Sequence, residues 1–259
     1  MKAFLLGLAI LTTAGGAVAH AQTSPFAGVW KMDPAKSKFT GDTLTYTKTA
    51  TGFKFSNGGP VAYAFAIDGK DYPIMAGRTT AWTKAGPGAW DVMFKLNGKV
   101  MTKAHRVLSA DGKTLTSTYV ESRADGTSTT EKDVYQRVSG TEGLAGEWKD
   151  VKADVADDTM KITVPAPGAF KLEDPTDKVV IVGKTDGSPV SLTGPTIPPG
   201  AAATYKAVGP TTWAYTRLLN GKLFSKGELT VLPGGKTLTD SSWIAGKESE
   251  KSVAVYVKQ

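Results

Sequence analysis

The chain has 259 residues, no cysteine and a formal net charge of +7 at pH 7. Without cysteine there is no disulfide framework, no thiolate for metal or nucleophilic chemistry, and no cysteine for a lipoprotein anchor. The lysines and arginines are scattered, with no basic block or base-stacking pattern, so the positive charge does not indicate nucleic-acid binding.

The first residues predict export. Lys2 precedes an apolar run from Ala3 to Leu11, and small residues lead to Ala19-His20-Ala21, a pattern typical of signal-peptide cleavage. We therefore expect residues 1–21 to be removed and the mature protein to be periplasmic or extracellular. No stretch reaches the about 20 apolar residues that a membrane helix needs, so no transmembrane segment is expected after removal of the signal.

The mature sequence repeats itself. Gly28-Val29-Trp30-Lys31 recurs 118 residues later as Gly146-Glu147-Trp148-Lys149, and Leu96-Asn97-Gly98-Lys99 recurs 123 residues later as Leu219-Asn220-Gly221-Lys222. Further matches follow in the same order, which indicates a duplication. The sequence therefore predicts two domains, residues 22–140 and 144–259, on either side of a polar linker.

Each repeat is predicted to be an antiparallel β-barrel. Short runs rich in Thr, Val, Tyr and Phe alternate with Asn-Gly and Asp-Gly pairs, which favour tight hairpins. No window outside the signal has a convincing helical period. We expect an all-β protein with two tandem up-and-down barrels of eight to ten strands each, because closure hides the sheet edges.

The ends of the repeats resemble those of lipocalin-like (calycin) barrels. Each repeat opens with Gly-x-Trp and closes on a strand with a basic residue, Arg137 or Lys258. In that family the tryptophan closes one end of the barrel and the late basic residue packs over it. The segments 30–37, 68–73 and 111–116 also look like exported bacterial proteins with a tandem-duplicated barrel. The chain lacks a disulfide and an evident C-terminal helix, so a shorter barrel than a true lipocalin is expected.

The sequence offers little catalytic chemistry. The mature chain has one histidine, His105, in no nucleophile motif, and we interpret it as a polar strand residue. No phosphate-binding glycine loop is present. The acidic cluster Asp150, Asp154, Asp157 and Asp158 lacks the spacing of a calcium loop and is predicted to be a solvated loop. We expect no catalytic residue, no metal site, no cofactor and no enzyme activity.

A candidate binding surface comes from the two Asn-Gly hairpins. A two-residue turn that sets the pairing register would place Trp90 opposite His105 and Tyr215 opposite Lys226. One face of each hairpin would then mix aromatic and ionisable side chains, as a cavity for an amphipathic ligand does. The opposite face is more uniformly apolar and could equally be the core. The candidate ligand-binding residues are Trp90, Phe94, Lys103, His105, Trp213, Tyr215, Arg217 and Lys226.

Two functions agree with these patterns. The first is a non-enzymatic carrier of a small apolar or amphipathic ligand inside a barrel, as the lipocalin-like resemblance implies. The alternative is a structural or protein-interaction module of the cell envelope whose barrels are filled by side chains. The basic excess lies in the first repeat, since residues 22–143 contain 16 basic and 11 acidic residues and residues 144–259 contain 14 and 13.

Overall fold

The computed structural model describes residues 24–39 and 41–259, so the predicted signal peptide lies outside the described residues. Within this part of the chain nearly all regular structure is β-strand, with a single short 3-10 helix at Pro34–Lys36. The strands are β1 (Gly28–Met32), β2 (Thr43–Lys48), β3 (Phe53–Ser56), β4 (Ala62–Phe65), β5 (Tyr72–Met75), β6 (Arg78–Gly86), β7 (Ala89–Leu96), β8 (Lys99–Leu108), β9 (Thr114–Ser122), β10 (Ser128–Ser139), β11 (Gly146–Asp154), β12 (Thr159–Thr163), β13 (Ala169–Asp174), β14 (Val179–Lys184), β15 (Asp186–Ser191), β16 (Ala201–Gly209), β17 (Thr212–Leu219), β18 (Lys222–Val231), β19 (Thr237–Ile244) and β20 (Ser252–Lys258).

These strands form two ten-stranded antiparallel sheets of up-and-down topology, each nearly closed into a barrel. The first barrel has the order β4-β3-β2-β11-β10-β9-β8-β7-β6-β5, and the second has the order β14-β13-β12-β1-β20-β19-β18-β17-β16-β15. The end strands β4 and β5, and likewise β14 and β15, lie side by side. The predicted all-β fold class with two barrels of eight to ten strands is confirmed.

The two repeats exchange their first strands. β1 pairs with β12 and β20 of the second repeat, whereas β11 pairs with β10 and β2 of the first. The predicted ranges 22–140 and 144–259 therefore match the sequence repeats but not the boundaries of the two barrels. The first barrel comprises β2 to β11, and the second comprises β12 to β20 together with β1. Both opening strands share the Gly-x-Trp-Lys sequence, so a strand with the same signature completes each barrel.

Two short crossovers carry the chain between the barrels. After β1 the chain stays on the second barrel through a bridge between Lys38 and Val253, and then enters β2. The second crossover comprises residues 155–158, where the Asp158 carbonyl accepts the Met32 amide at 2.8 Å. The Asp150 amide in turn donates to the Asp42 carbonyl at 2.8 Å. The crossovers link the barrels covalently, and these hydrogen bonds hold the start of β12 against β1 and the start of β2 against β11.

The Gly-x-Trp tryptophans close equivalent ends of the two barrels. Trp30 and Trp148 are fully buried, and their indole N–H groups donate to the carbonyl oxygens of Phe26 at 2.8 Å and Leu144 at 3.0 Å. The late basic residues lie over the rings, with Arg137 Cζ 4.0 Å and Lys258 Nζ 5.0 Å from the ring centroids. The contact implied by the lipocalin-like resemblance is therefore present in both barrels.

The glycine of each Gly-x-Trp makes room for this arrangement. A Cβ atom on Gly28 would lie 2.5 Å from the Lys258 side chain, and one on Gly146 would lie 2.2 Å from the Ser139 carbonyl oxygen. Both glycines also have positive φ, of 149° and 135°. A larger residue at either position would displace the basic residue or the neighbouring strand.

Each barrel encloses its own core. The first core centres on Tyr46, Phe65, Trp82 and Trp148, and the second on Trp30, Phe170, Tyr205 and Trp213. Aromatic rings supply much of this volume, and they contact one another in stacked or edge arrangements such as Phe65 on Trp82, with centroids 4.4 Å apart. Among the described residues no helix is long and apolar enough to cross a membrane.

Candidate functional site

A β-bulge beside each Asn-Gly turn sets which side chains line the barrel. The turns form as predicted, but the register shifts by one residue between Phe94 and Lys95. Trp90 therefore pairs with Arg106 instead of His105. A one-residue shift moves every later side chain of the strand to the opposite face. The predicted register is wrong beyond the bulge.

The second barrel has the same bulge. Its register shifts between Arg217 and Leu218, so Tyr215 pairs with Gly227 instead of Lys226. The duplication has thus preserved an irregularity that the turn sequence does not reveal. The expected mixture of aromatic and ionisable groups occurs on the inward face of β17, with Trp213, Tyr215 and Arg217, whereas the inward residues of β7 are Trp90, Val92 and Phe94, none of them ionisable.

The predicted binding residues divide accordingly. The residues on β7 and β17 point into the barrels. Trp90, Trp213 and Tyr215 are core residues, Phe94 packs against the core, and Arg217 donates to the hydroxyl of the core residue Tyr205. Those on β8 and β18 face outward, and these are Lys103, His105 and Lys226. The structure therefore does not bring the eight residues together in one cavity wall.

Sequence reasoning missed Arg106, which the bulge turns into the first barrel. Its side chain is 4% exposed, donates to the Tyr46 hydroxyl and lies with Cζ 5.0 Å from the Trp82 ring centroid. Burial raises the pKa of Tyr46 to about 12, so this phenol is neutral at pH 7. The guanidinium is held by aromatic faces and a hydroxyl, and it lies away from solvent.

The second barrel also holds an arginine, in a different network. Arg217 Nη1 donates to the Tyr205 hydroxyl at 2.7 Å, and its Cζ lies 4.8 Å from the Tyr215 ring centroid. The Tyr215 hydroxyl donates to Asp240 Oδ1 at 2.7 Å. Burial raises the pKa of Asp240, although this hydrogen bond and Arg217 oppose the shift. Arg217, unlike Arg106, is partly exposed.

Arg217 lines an apolar groove between the two barrels. The groove has a volume of about 510 Å³. The first barrel contributes the β5–β6 hairpin with Arg78, whose Nη2 donates to the Thr196 carbonyl of the second barrel at 3.2 Å. The second barrel contributes the end of β17 and the bulge residue Phe224. The remaining walls are aliphatic and include Val61, Ile74, Met75, Leu192, Ile197 and Leu218.

A second opening between the barrels has the opposite chemistry. It has a volume of about 390 Å³, with Met32, Phe39 and Tyr256 among its apolar walls. Its rim carries one arginine, Arg123, and the carboxylates of Glu121, Glu131, Asp158, Asp177 and Asp240. Burial and mutual repulsion raise the pKa values of Glu121, Asp158 and Asp177. The two openings therefore differ in the sign of their charge.

The acidic cluster was predicted to be a solvated loop, and this is wrong for Asp150 and Asp154, which both lie on β11. Asp150 lies on β11, is 5% exposed, and has its pKa raised to about 6 by burial and by the nearby Asp133. Asp157 pairs with Lys31 at 2.8 Å. Within residues 24–39 and 41–259 no group of three or more acidic or histidine side chains is arranged to hold a metal ion.

His105 lies on the outer face of the first barrel as a polar strand residue. Its Nδ1 lies 2.7 Å from Asp91 Oδ1 on the neighbouring strand, and both side chains are more than half exposed. The pair is a surface contact between β7 and β8, remote from the inward-facing residues of both strands.

No protein-family model matches the chain, and no curated protein matches it significantly in sequence. The candidate site is therefore defined by its geometry, and the groove that joins Arg78 to Arg217 is its centre.

Proposed function

We propose that this protein is an exported, non-enzymatic binding protein that holds a small amphipathic molecule in the groove between its barrels. The observation that carries the proposal is an apolar groove of about 510 Å³ with arginine side chains among its walls. Sites for small molecules have volumes of roughly 300–1,000 Å³ and combine apolar walls with a few polar groups. Both barrel interiors are occupied by aromatic side chains, so the groove replaces the barrel cavity expected from the sequence.

We further propose that the barrels are of the lipocalin-like type. This is supported by the buried tryptophan at one end of each barrel and by the basic residue that lies over it. The exchange of first strands keeps ten strands in each sheet and ties the two barrels together, with the groove between them.

Native mass spectrometry of the full mature chain, purified gently, tests the proposal. We expect a bound molecule that is lost on delipidation, and a raised melting temperature when amphiphiles such as dodecanoate or dodecanol are added back. A chain that carries nothing and whose melting temperature no amphiphile changes would contradict the proposal.

The position of the ligand is tested by filling the groove. Ala201 lies in the groove wall, so Ala201→Phe should weaken binding at least about tenfold, since the aromatic ring occupies the ligand's volume. Ala64→Phe is the matched control, because Ala64 is exposed on the outer face of β4 and the substitution adds the same ring outside the groove. Equal binding by both variants would place the ligand elsewhere.

A protein-interaction function is the second candidate, and the filled barrel interiors favour it. It predicts that the full chain retains an envelope partner in a pulldown and that Ala201→Phe does not affect this capture. Loss of the partner at raised salt would implicate the basic excess of the first repeat.

A further inference from the structure

We infer that the ligand of the inter-barrel groove is a single-chain carboxylate amphiphile whose carboxylate is recognised by Arg78 and Arg217. This inference rests on the proposed function and adds the chemical class of the ligand. The apolar walls would hold the chain, and the two guanidinium groups would hold the head.

The charge of the groove carries this inference. Two arginines line it, and among the described lining residues none is acidic. Within residues 24–39 and 41–259 neither arginine forms a salt bridge with a carboxylate. Their side-chain hydrogen bonds go to the Thr196 carbonyl and to the Tyr205 hydroxyl. Burial lowers the pKa of Arg78, and the Glu121 carboxylate opposes this shift without forming a salt bridge to the guanidinium.

The two guanidinium groups are held in place before a ligand arrives. Arg217 is fixed by the Tyr205 hydroxyl at 2.7 Å and by the Tyr215 ring, and Arg78 by the Thr196 carbonyl at 3.2 Å. A guanidinium has five N–H donors in a planar fork, so one hydrogen bond leaves donors for a bidentate carboxylate. Tyr205 is therefore a positioning residue for Arg217.

The groove also selects against other amphiphiles. Its volume of about 510 Å³ suits a single chain, within the usual range for one small ligand. A cationic head would be repelled by both arginines and attracted to the acidic opening with Glu121 and Asp177. A neutral head would form only neutral hydrogen bonds with the guanidinium groups and would lack the charge-assisted pairs that a carboxylate makes.

Displacement of the neutral fluorescent probe N-phenylnaphthylamine from the full mature chain tests the inference. Dodecanoate, dodecanol and dodecyltrimethylammonium share a chain and differ in head charge. We expect dodecanoate to bind at least about tenfold more tightly than the other two, with the advantage reduced at high salt. Equal affinities for dodecanoate and dodecanol, or tighter binding of the cation, would overturn the carboxylate assignment and leave the proposed function intact.

Charge-removing variants assign the residues. Arg78→Gln and Arg217→Gln should each remove most of the preference for dodecanoate over dodecanol and leave dodecanol binding within about twofold. Lys99→Gln, at the exposed turn of the first barrel, is the control. Because Arg217 contacts the core, Arg217→Lys serves as a second variant that keeps the charge. Arg217→Lys should keep part of the preference, which would show that the loss in Arg217→Gln comes from the charge and not from misfolding. An unchanged preference in both Arg78→Gln and Arg217→Gln would overturn the assignment.

The remaining outcomes separate the two proposals. If no amphiphile displaces the probe or changes the melting temperature, the proposed function fails together with the inference. Cosedimentation with phosphatidylglycerol vesicles that is lost in Arg78→Gln would replace a free carboxylate with a lipid headgroup and would overturn the inference.

Discussion

The interiors of the two barrels each contain an arginine, but the two arginines come from different strands. Arg106 on β8 corresponds to Leu229 in the second repeat, and Arg217 on β17 corresponds to Phe94 in the first. Both barrels keep the same turn, bulge and end-closing tryptophan. The duplicated frame therefore accommodates different interior side chains at equivalent positions.

The difference assigns separate roles to the two barrels. Arg106 is enclosed, and its Nε, together with the hydroxyls of Thr80 and Ser117, has no hydrogen-bond partner among the described residues. In the second barrel, Thr80 is replaced by Ala203, which is apolar, and Ser117 by Asp240, which accepts a hydrogen bond from the Tyr215 hydroxyl. Arg106 serves the first barrel internally, whereas Arg217 is partly exposed and reaches the groove. Under the proposed function, Arg217 of the second barrel and Arg78 of the first share the groove, and the enclosed Arg106 takes no part in it.

The largest expected effect tests the strand exchange. Trp30→Ala and Trp148→Ala should each lower the free energy of unfolding by about 3–5 kcal/mol, as other large aromatic truncations in cores do. Because β1 completes the second barrel, Trp30→Ala should increase hydrogen exchange in β12 and β20. Trp148→Ala should do the same in β2 and β10.

The two variants control for each other. If Trp30→Ala instead raised exchange in β2 and β10, the first strand would belong to its own repeat and the exchange would be wrong. Mass spectrometry of the exchanged peptides resolves the two barrels, since their strand sequences differ.

The sequence predicted the duplicated barrel architecture but not the strand exchange or the β-bulge. The Asn-Gly turns, the duplication and the Trp–basic contact were all readable, because each depends on residues with narrow conformational or chemical preferences. The strand exchange was not readable, since Gly28-Val29-Trp30-Lys31 and its copy are too similar to choose between barrels. The bulge was hidden because neither Met101 nor Phe224 has a sequence mark of an extra residue, and Arg106 was missed for that reason.

A smaller effect tests how far the interiors have diverged. In the second barrel the Tyr215 ring lies over Gly227, where a Cβ atom would come within 2.3 Å of it. The first barrel has Val92 and Ala104 at the corresponding positions, which are paired in the same way. Gly227→Ala should therefore cost about 1–3 kcal/mol of stability by overpacking, measured by chemical denaturation.

The first barrel supplies the compensating change. Adding Tyr215→Val to Gly227→Ala recreates the Val-Ala pair of the first barrel. It should recover part of the stability that Gly227→Ala loses, which a double-mutant cycle measures. Ala104→Gly, the reverse change in the first barrel, should cost no more than about 1 kcal/mol. Strict additivity in the cycle would show that the two interiors are not interchangeable at this pair.

The pH dependence of stability compares two carboxylates, Asp150 and Asp158, each next to one of the crossovers. Asp150 in the first barrel and Asp158 beside the second have pKa values of about 6, raised from 3.8 mainly by burial. Because the folded state binds these protons more tightly than the unfolded state, stability should rise as pH falls from 7 towards 4. The gain should be on the order of 1 kcal/mol for each carboxylate after solvent screening. Thermal unfolding of Asp150→Asn and Asp158→Asn should show a shallower pH slope than the parent, and unchanged slopes would contradict the raised pKa values.

The smallest expected effect concerns the residues over the tryptophans. Arg137 donates at 2.6 Å to three backbone carbonyls that fix the end of the first barrel, those of Gly112, Gly143 and Ala145. Lys258 makes only the ring contact among the side-chain interactions described for it. Arg137→Lys should therefore cost about 1 kcal/mol, since lysine cannot keep the planar fork, whereas Lys258→Arg should change stability by less than about 0.5 kcal/mol. Chemical denaturation of both variants checks the difference. Equal losses would mean that the carbonyl contacts add nothing and that the two barrel ends are closed by the tryptophans alone.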